Sequence, residues 1–121
     1  MKTILIVEDE VALQDALQKV FTAEGYAVLQ AFDGDEAVAL AKDKKPDLVL
    51  LDLILPKKHG FDVLEAIRAM DETKQVPVLI LTNLEESEDV MKAIELGARG
   101  YLIKANYALK EVLTKVKEVL G

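Results

Sequence analysis

The chain has 121 residues, 51% of them apolar and 31% charged, and a formal net charge of −7. That length holds one packed domain and is short for two. An acidic balance without a basic run argues against direct nucleic-acid or anionic-membrane partners. With no cysteine and one histidine, His59, the chain cannot make disulfides, thiolate metal sites or multi-histidine metal centres.

Met1-Lys2-Thr3 leads at once into an apolar strand, Thr3–Val7, too short for the apolar region of a signal peptide. No later run approaches membrane-spanning length, and the expected location is the cytoplasm. Leu13, Ala16, Leu17, Val20 and Phe21 then form a stripe with helical spacing, closed by Gly25 where a helix C-cap is wanted. A second strand is expected over Tyr26–Ala31. Asp33, with Glu36 three residues later, resembles a capping box ahead of a helix carrying Ala37, Val38 and Ala41. Pro46 precedes a strand over Leu48–Asp52, and Pro56 follows it. Phe61, Leu64 and Ile67 mark the third helix. Pro77 precedes the strand Val78–Thr82. Val90, Met91 and Ile94 form a short fourth stripe, ended by Gly97. The strand Gly100–Ile103 follows, then Asn106 as an expected N-cap for a helix bearing Leu109, Val112, Leu113, Val116 and Leu120.

Ile4-Leu5-Ile6-Val7, Leu48-Val49-Leu50-Leu51 and Val78-Leu79-Ile80-Leu81 contain no polar residue, as strands covered on both faces do. The pattern is (βα)₅. Right-handed crossovers then favour a doubly wound α/β fold, a flavodoxin-like three-layer sandwich whose five-stranded parallel sheet has the order 2-1-3-4-5. Since the chain stops at Gly121, one domain over residues 1–121 with no effector domain is expected.

In such sheets the functional crevice lies beyond the carboxyl ends of the strands. Glu8-Asp9 stand at the first strand end, Asp52 at the third, Thr82 at the fourth, and Lys104 just past the fifth. Any one of these has an ordinary explanation, as a helix cap, loop residue or surface lysine. Together they gather three carboxylates on one edge, which need positive charge among them. Lys104 supplies one; an all-oxygen set implies a hard divalent cation, Mg²⁺, that completes its shell with substrate phosphate. Thr82 and Lys104 suit phosphoryl oxygens as a hydroxyl donor and an ammonium donor. In the absence of cysteine, and with His59 seven positions past the strand end, the Asp52 carboxylate is left as phosphoryl acceptor.

On these residues the chain resembles, over its whole length, the receiver domains of two-component response regulators. Glu8-Asp9 resembles the acidic pair of that family, and Asp52-Leu53-Ile54-Leu55-Pro56 with Gly60 its phosphorylation segment. Thr82 resembles its hydroxyl position, Tyr101 its aromatic switch, Lys104 its lysine, and Gly97-Ala98-Arg99-Gly100-Tyr101 its approach to the last strand. The resemblance implies that a histidine kinase, or slowly a small phosphodonor such as acetyl phosphate, phosphorylates Asp52. It implies Mg²⁺ held by Asp9, Asp52 and the Ile54 carbonyl, with Glu8 acting through water. It implies that Thr82 and Lys104 hold the phosphoryl group, and that Thr82 moving lets Tyr101 turn inward. The surface of the fourth helix, fifth strand and fifth helix would then control binding of a downstream protein. A monomer or a phosphorylation-dependent dimer, acting through protein contacts or relaying phosphate onward, fits this picture.

The family usually has proline after the lysine, joined by a cis bond. Ala105 stands here, so the bond is either trans in a reshaped loop or cis without proline. Asn83 replaces the family's usual small residue at the mouth of the site, where phosphoryl access or hydrolysis would differ. By analogy with the family, positions 54 and 84 tune dephosphorylation, and the apolar Ile54 and Leu84 there imply a long-lived phosphoform. His59 reads as a surface residue rather than a metal ligand. A flavin carrier of the same fold would need a hydroxyl- and glycine-rich loop where Glu8-Asp9-Glu10 stands, and an aspartyl phosphatase would need a second Asp at Ile54. A receiver retained only for interaction would not need the full set of site residues.

Overall fold

The computed structural model describes residues 1–121. In chain order its elements are β1 (Thr3–Val7), α1 (Val11–Ala23), β2 (Ala27–Ala31), α2 (Gly34–Lys44), β3 (Leu48–Leu51), α3 (Gly60–Ala69), β4 (Val78–Thr82), α4 (Ser87–Glu95), β5 (Gly100–Ile103) and α5 (Leu109–Leu120). The strands pair in parallel in the order β2-β1-β3-β4-β5, as expected.

The apolar strand runs serve two cores. A strand turns successive side chains to opposite faces. Ile4, Ile6, Leu48, Leu50, Leu79 and Leu81 accordingly meet Leu17 and Phe21 of α1 and Val112 and Val116 of α5. Leu5, Val7, Val49, Leu51, Val78 and Ile80 meet Ala37 and Ala41 of α2, Leu64 and Ile67 of α3, and Ala93 of α4. Each such Leu or Ile removed from water stabilises the fold by about 1.5–3 kcal/mol. A run that looked uniformly hydrophobic is therefore two interleaved half-runs.

Helix ends follow their local chemistry. At the end of α1, Tyr26 N–H donates to Phe21 O (3.1 Å) and Gly25 N–H to Thr22 O (3.0 Å), with Gly25 at φ +94°. At the end of α4, Ala98 N–H donates to Ala93 O (2.9 Å) and Gly97 N–H to Ile94 O (3.0 Å), with Gly97 at φ +96°. Both are the paired closing bonds of a Schellman turn, which glycine enters without steric cost. Asp33 caps α2 by accepting Glu36 N–H at 2.8 Å, while the Glu36 carboxylate accepts Phe32 N–H at 2.7 Å.

Four expectations change. Tyr26 belongs to the closing turn of α1 rather than to β2, and β3 ends at Leu51. Asn106 is not the cap of α5: it ends a 3₁₀ turn, Lys104–Asn106, and Ala108 stands at the cap, its N–H donating to Glu111 at 2.9 Å. The α4 stripe is not a core face: Met91 and Ile94 are exposed, Val90 is half-buried, and Ala93 makes the buried contact.

Candidate functional site

Between β2-β1 and β3-β4-β5 the sheet order reverses direction, and the crevice opens there, beyond the strand ends. Glu8 N–H still donates to Ala31 O at 3.0 Å and Asp52 N–H to Val7 O at 3.0 Å. The ladder thus delivers both acidic side chains to the same edge. Glu8, Asp9, Glu10, Asp52, Ile54, Asn83 and Lys104 line a crevice of about 400 Å³.

Lys104 bridges two of its carboxylates. Its Nζ is 2.7 Å from Asp52 Oδ2 and 2.7 Å from Glu8 Oε1. The 3₁₀ turn after β5 aims it, and the chain contains no cis peptide bond, so Lys104–Ala105 is trans. The other Asp52 oxygen, Oδ1, accepts Ile54 N–H at 3.2 Å, and Glu8 Oε2 accepts Glu10 N–H at 3.0 Å. Asp52 is 4% exposed and Glu8 2%. Burial raises the Glu8 carboxyl above its usual range, more than the bonds from Lys104 and Glu10 lower it, and the Asp52 charge adds to the rise. Burial pulls the Lys104 ammonium down, but its bonds to Asp52 and Glu8 more than offset this, so it is raised.

One oxygen from each of Glu8, Asp9 and Asp52 can lie within 4.8 Å of the others. The exposed Asp9 carboxylate and the Ile54 carbonyl accept no hydrogen bond from the protein. An all-oxygen set with two uncommitted donors fits a hard divalent ion.

Thr82 is fully buried at the end of β4 and does not line the crevice; Asn83 does. Thr82 Oγ1 accepts Leu84 N–H at 3.5 Å, and Tyr101 donates its hydroxyl to Leu84 O at 2.8 Å. The same loop residue therefore touches both the strand-end hydroxyl and the aromatic ring on β5. Burial, with the charges of Asp89 and Asp52, pushes the Tyr101 phenol up to about 12.

The sequence reading missed the roles of four residues. Gln14 is fully buried on α1 beneath Glu8, and its spacing to Leu17 and Phe21 placed it on the core stripe. Glu10 joins the crevice wall. His59 is exposed, as expected, but it also caps α3, its Nδ1 accepting Phe61 N–H at 3.0 Å. Arg68 donates to Val76 O at 2.7 Å and to Gly97 O at 2.8 Å, tying α3 to the loops that flank β4 and β5. Only Gln14 left a signal, as a polar residue in a buried stripe.

The response regulator receiver domain model matches residues 4–117. The transcriptional regulator RpaA of Synechocystis is 39% identical over 120 residues, covering 99% of this chain and 49% of that protein. PhoP of Bacillus subtilis, which regulates alkaline phosphatase synthesis, is 39% identical over 119 residues, 98% of this chain and 48% of that protein. The chain thus spans about half the length of the curated relatives it matches. Among solved structures, the chemotaxis protein CheY4 of Vibrio cholerae superposes with a TM-score of 0.92 at 29% identity, covering 99% of both chains. The fold and its crevice define an α/β signalling domain with carboxylates at the strand ends. The chain belongs to the response regulator receiver domain family, and its function is that of a phosphorylation-dependent switch in two-component signalling. No helix is long and apolar enough to cross a membrane.

Proposed function

We propose that Asp52 is the phosphoryl acceptor, and that Glu8, Asp9, Asp52 and the Ile54 carbonyl are the Mg²⁺ site, Glu8 acting through water. The observation that carries this is Asp52 itself: nearly buried, one oxygen on Lys104 and the other on a backbone N–H, at the wall of the acidic crevice. A carboxylate oxygen attacks phosphorus as the bond from phosphorus to a donor histidine nitrogen, or to an acetyl phosphate oxygen, breaks in line, and the donor leaves with that electron pair. Bound Mg²⁺ supplies neutralisation of the phosphoryl charge. Lys104 gives up one carboxylate bond to take a phosphoryl oxygen, and the Thr82 hydroxyl holds another.

Leu84 links this chemistry to the surface. A Thr82 hydroxyl committed to phosphate leaves Leu84 N–H, shifts the loop, and changes what Tyr101 is bonded to. The readout is the α4-β5-α5 face, where a downstream protein, or a second copy in a phosphorylation-dependent dimer, binds. The protein is a cytoplasmic phosphoacceptor for a histidine kinase, promotes its own phosphorylation and dephosphorylation, and turns over no separate substrate. RpaA is described as DNA-binding; at a net charge of −7 we assign no nucleic-acid contact to these residues.

Intact-mass measurement after Mg²⁺ and acetyl phosphate tests the proposal. One phosphoryl adduct is expected on the parent and none on Asp52→Asn. No adduct on the parent, or the same adduct on Asp52→Asn, sinks it.

A further inference from the structure

The geometry points to Gln14 as a positioning residue for Asp9: its side-chain amide anchors the Glu8 carbonyl, and with it the backbone that carries the Asp9 carboxylate. This rests on the reading of Glu8, Asp9 and Asp52 as a cation site. Gln14 is 0% exposed and shares the buried face of α1 with Leu17 and Phe21. An amide at such a position is costly unless it is bonded, whereas leucine would simply extend the stripe. Its Nε2 lies 2.8 Å from Ala31 O, 2.9 Å from Ile6 O and 3.1 Å from Glu8 O. Its Oε1 is buried and has no partner.

Of the three carbonyls, Glu8 O depends on Gln14 most. Ala31 O also accepts Glu8 N–H, at 3.0 Å. Glu8 O accepts from no backbone N–H, and its one donor is Gln14 Nε2, whose two N–H hydrogens are shared among the three carbonyls. That carbonyl and the Asp9 N–H form one rigid plane. A change in ψ of Glu8 that φ of Asp9 does not compensate re-aims the Asp9 Cα–Cβ bond, and the anchored Glu8 carbonyl resists it. The Glu8 carboxylate is held separately, by Lys104 and by Glu10 N–H. The Asp9 carboxylate has no bond to the protein, so the Cα–Cβ direction that its backbone sets decides where it can reach.

Mg²⁺ alone, titrated into the metal-free chain and followed by amide chemical shifts, tests the inference. Gln14→Met keeps length and apolar bulk and removes both N–H donors. It should weaken Mg²⁺ binding about tenfold, the low end for loss of a partner that orients a metal ligand. Phe21→Leu, buried on the same helix without a bond to Glu8, should lose stability and keep the parental affinity. Adding Gln14→Met to Asp9→Asn should weaken binding no further than Asp9→Asn alone, because one acts through the other. Gln14→Asn, too short to reach Glu8 O, should reproduce the loss and stands in if Gln14→Met does not fold. Parental affinity in the folded Gln14 variants, or additive losses in the double variant, overturns the inference. A parent that binds no Mg²⁺ overturns the cation-site reading as well.

Discussion

At the start of α3, a Cβ added to Gly60 would lie 2.4 Å from Leu53 Cα and 2.6 Å from Asp52 O. Both neighbours are backbone, so neither can rotate away. Gly60→Ala is expected to destabilise the chain by about 1–3 kcal/mol, as overpacking does, and to slow phosphorylation by displacing Asp52; denaturant unfolding and the rate with acetyl phosphate measure the two effects. Ile54 is exposed on the crevice rim, and the proposed site puts its apolar side chain in the way of an attacking water. Ile54→Asn should therefore shorten the lifetime of the phosphoform, and an unchanged or longer lifetime contradicts the role. Tyr101 carries the pH prediction. Its folded phenol is raised to about 12, so the neutral form is favoured by folding. Its contribution to stability is full below the ordinary phenol value of 10.0 and is lost as pH rises through about 12. Tyr101→Phe should remove that part of the alkaline decline in stability and the matching late step in the ultraviolet titration.

At the scale of elements, the closing turns of α1 and α4 make a paired test. Gly25 and Gly97 share nearly the same φ, +94° and +96°, but a Cβ on Gly25 meets nothing within 4 Å while one on Gly97 meets Arg68 Nε at 2.7 Å. Gly25→Ala should cost about 1–2 kcal/mol, the penalty of a left-handed non-glycine residue. Gly97→Ala should cost more, because Arg68 must release Gly97 O or Val76 O; thermal unfolding of the two variants ranks them. The strands were legible in the sequence because a parallel sheet covered by helices leaves no polar alternation to confuse. The face of α4 was not. Helical spacing shows that Val90, Met91 and Ile94 share a side, but not whether that side meets a core; Ala93, too small to stand out, makes the contact. Asn106 was misplaced because a favoured capping residue was weighed without the preceding 3₁₀ turn. Gln14 was passed over because counting apolar positions skips a polar residue that the core has bonded. The strand-end residues were readable because the switch-point rule names the positions to inspect. The double pairing of Lys104 was not readable, since it depends on the path of a loop that leaves the family pattern at Ala105.

For the whole molecule, two small groups of contacts stand at the carboxyl edge of the sheet, and the proposed switch requires phosphate to join them. Asp52 and Glu8 hold Lys104 on one side, and Leu84 joins Thr82 to Tyr101 on the other. Removing the shared cation leaves two nearly buried carboxylates facing each other. Lys104→Met should cost about 3 kcal/mol in the absence of divalent ions, and Mg²⁺ should restore part of the loss; unfolding with and without Mg²⁺ measures both. Trapping the acyl phosphate is the most direct test of the central claim. The chain is treated with Mg²⁺ and acetyl phosphate, reduced with borohydride, and digested, and the reduced residue is located by peptide sequencing. The account predicts modification at Asp52, and modification at Glu8 or Asp9, or at no residue, would contradict it.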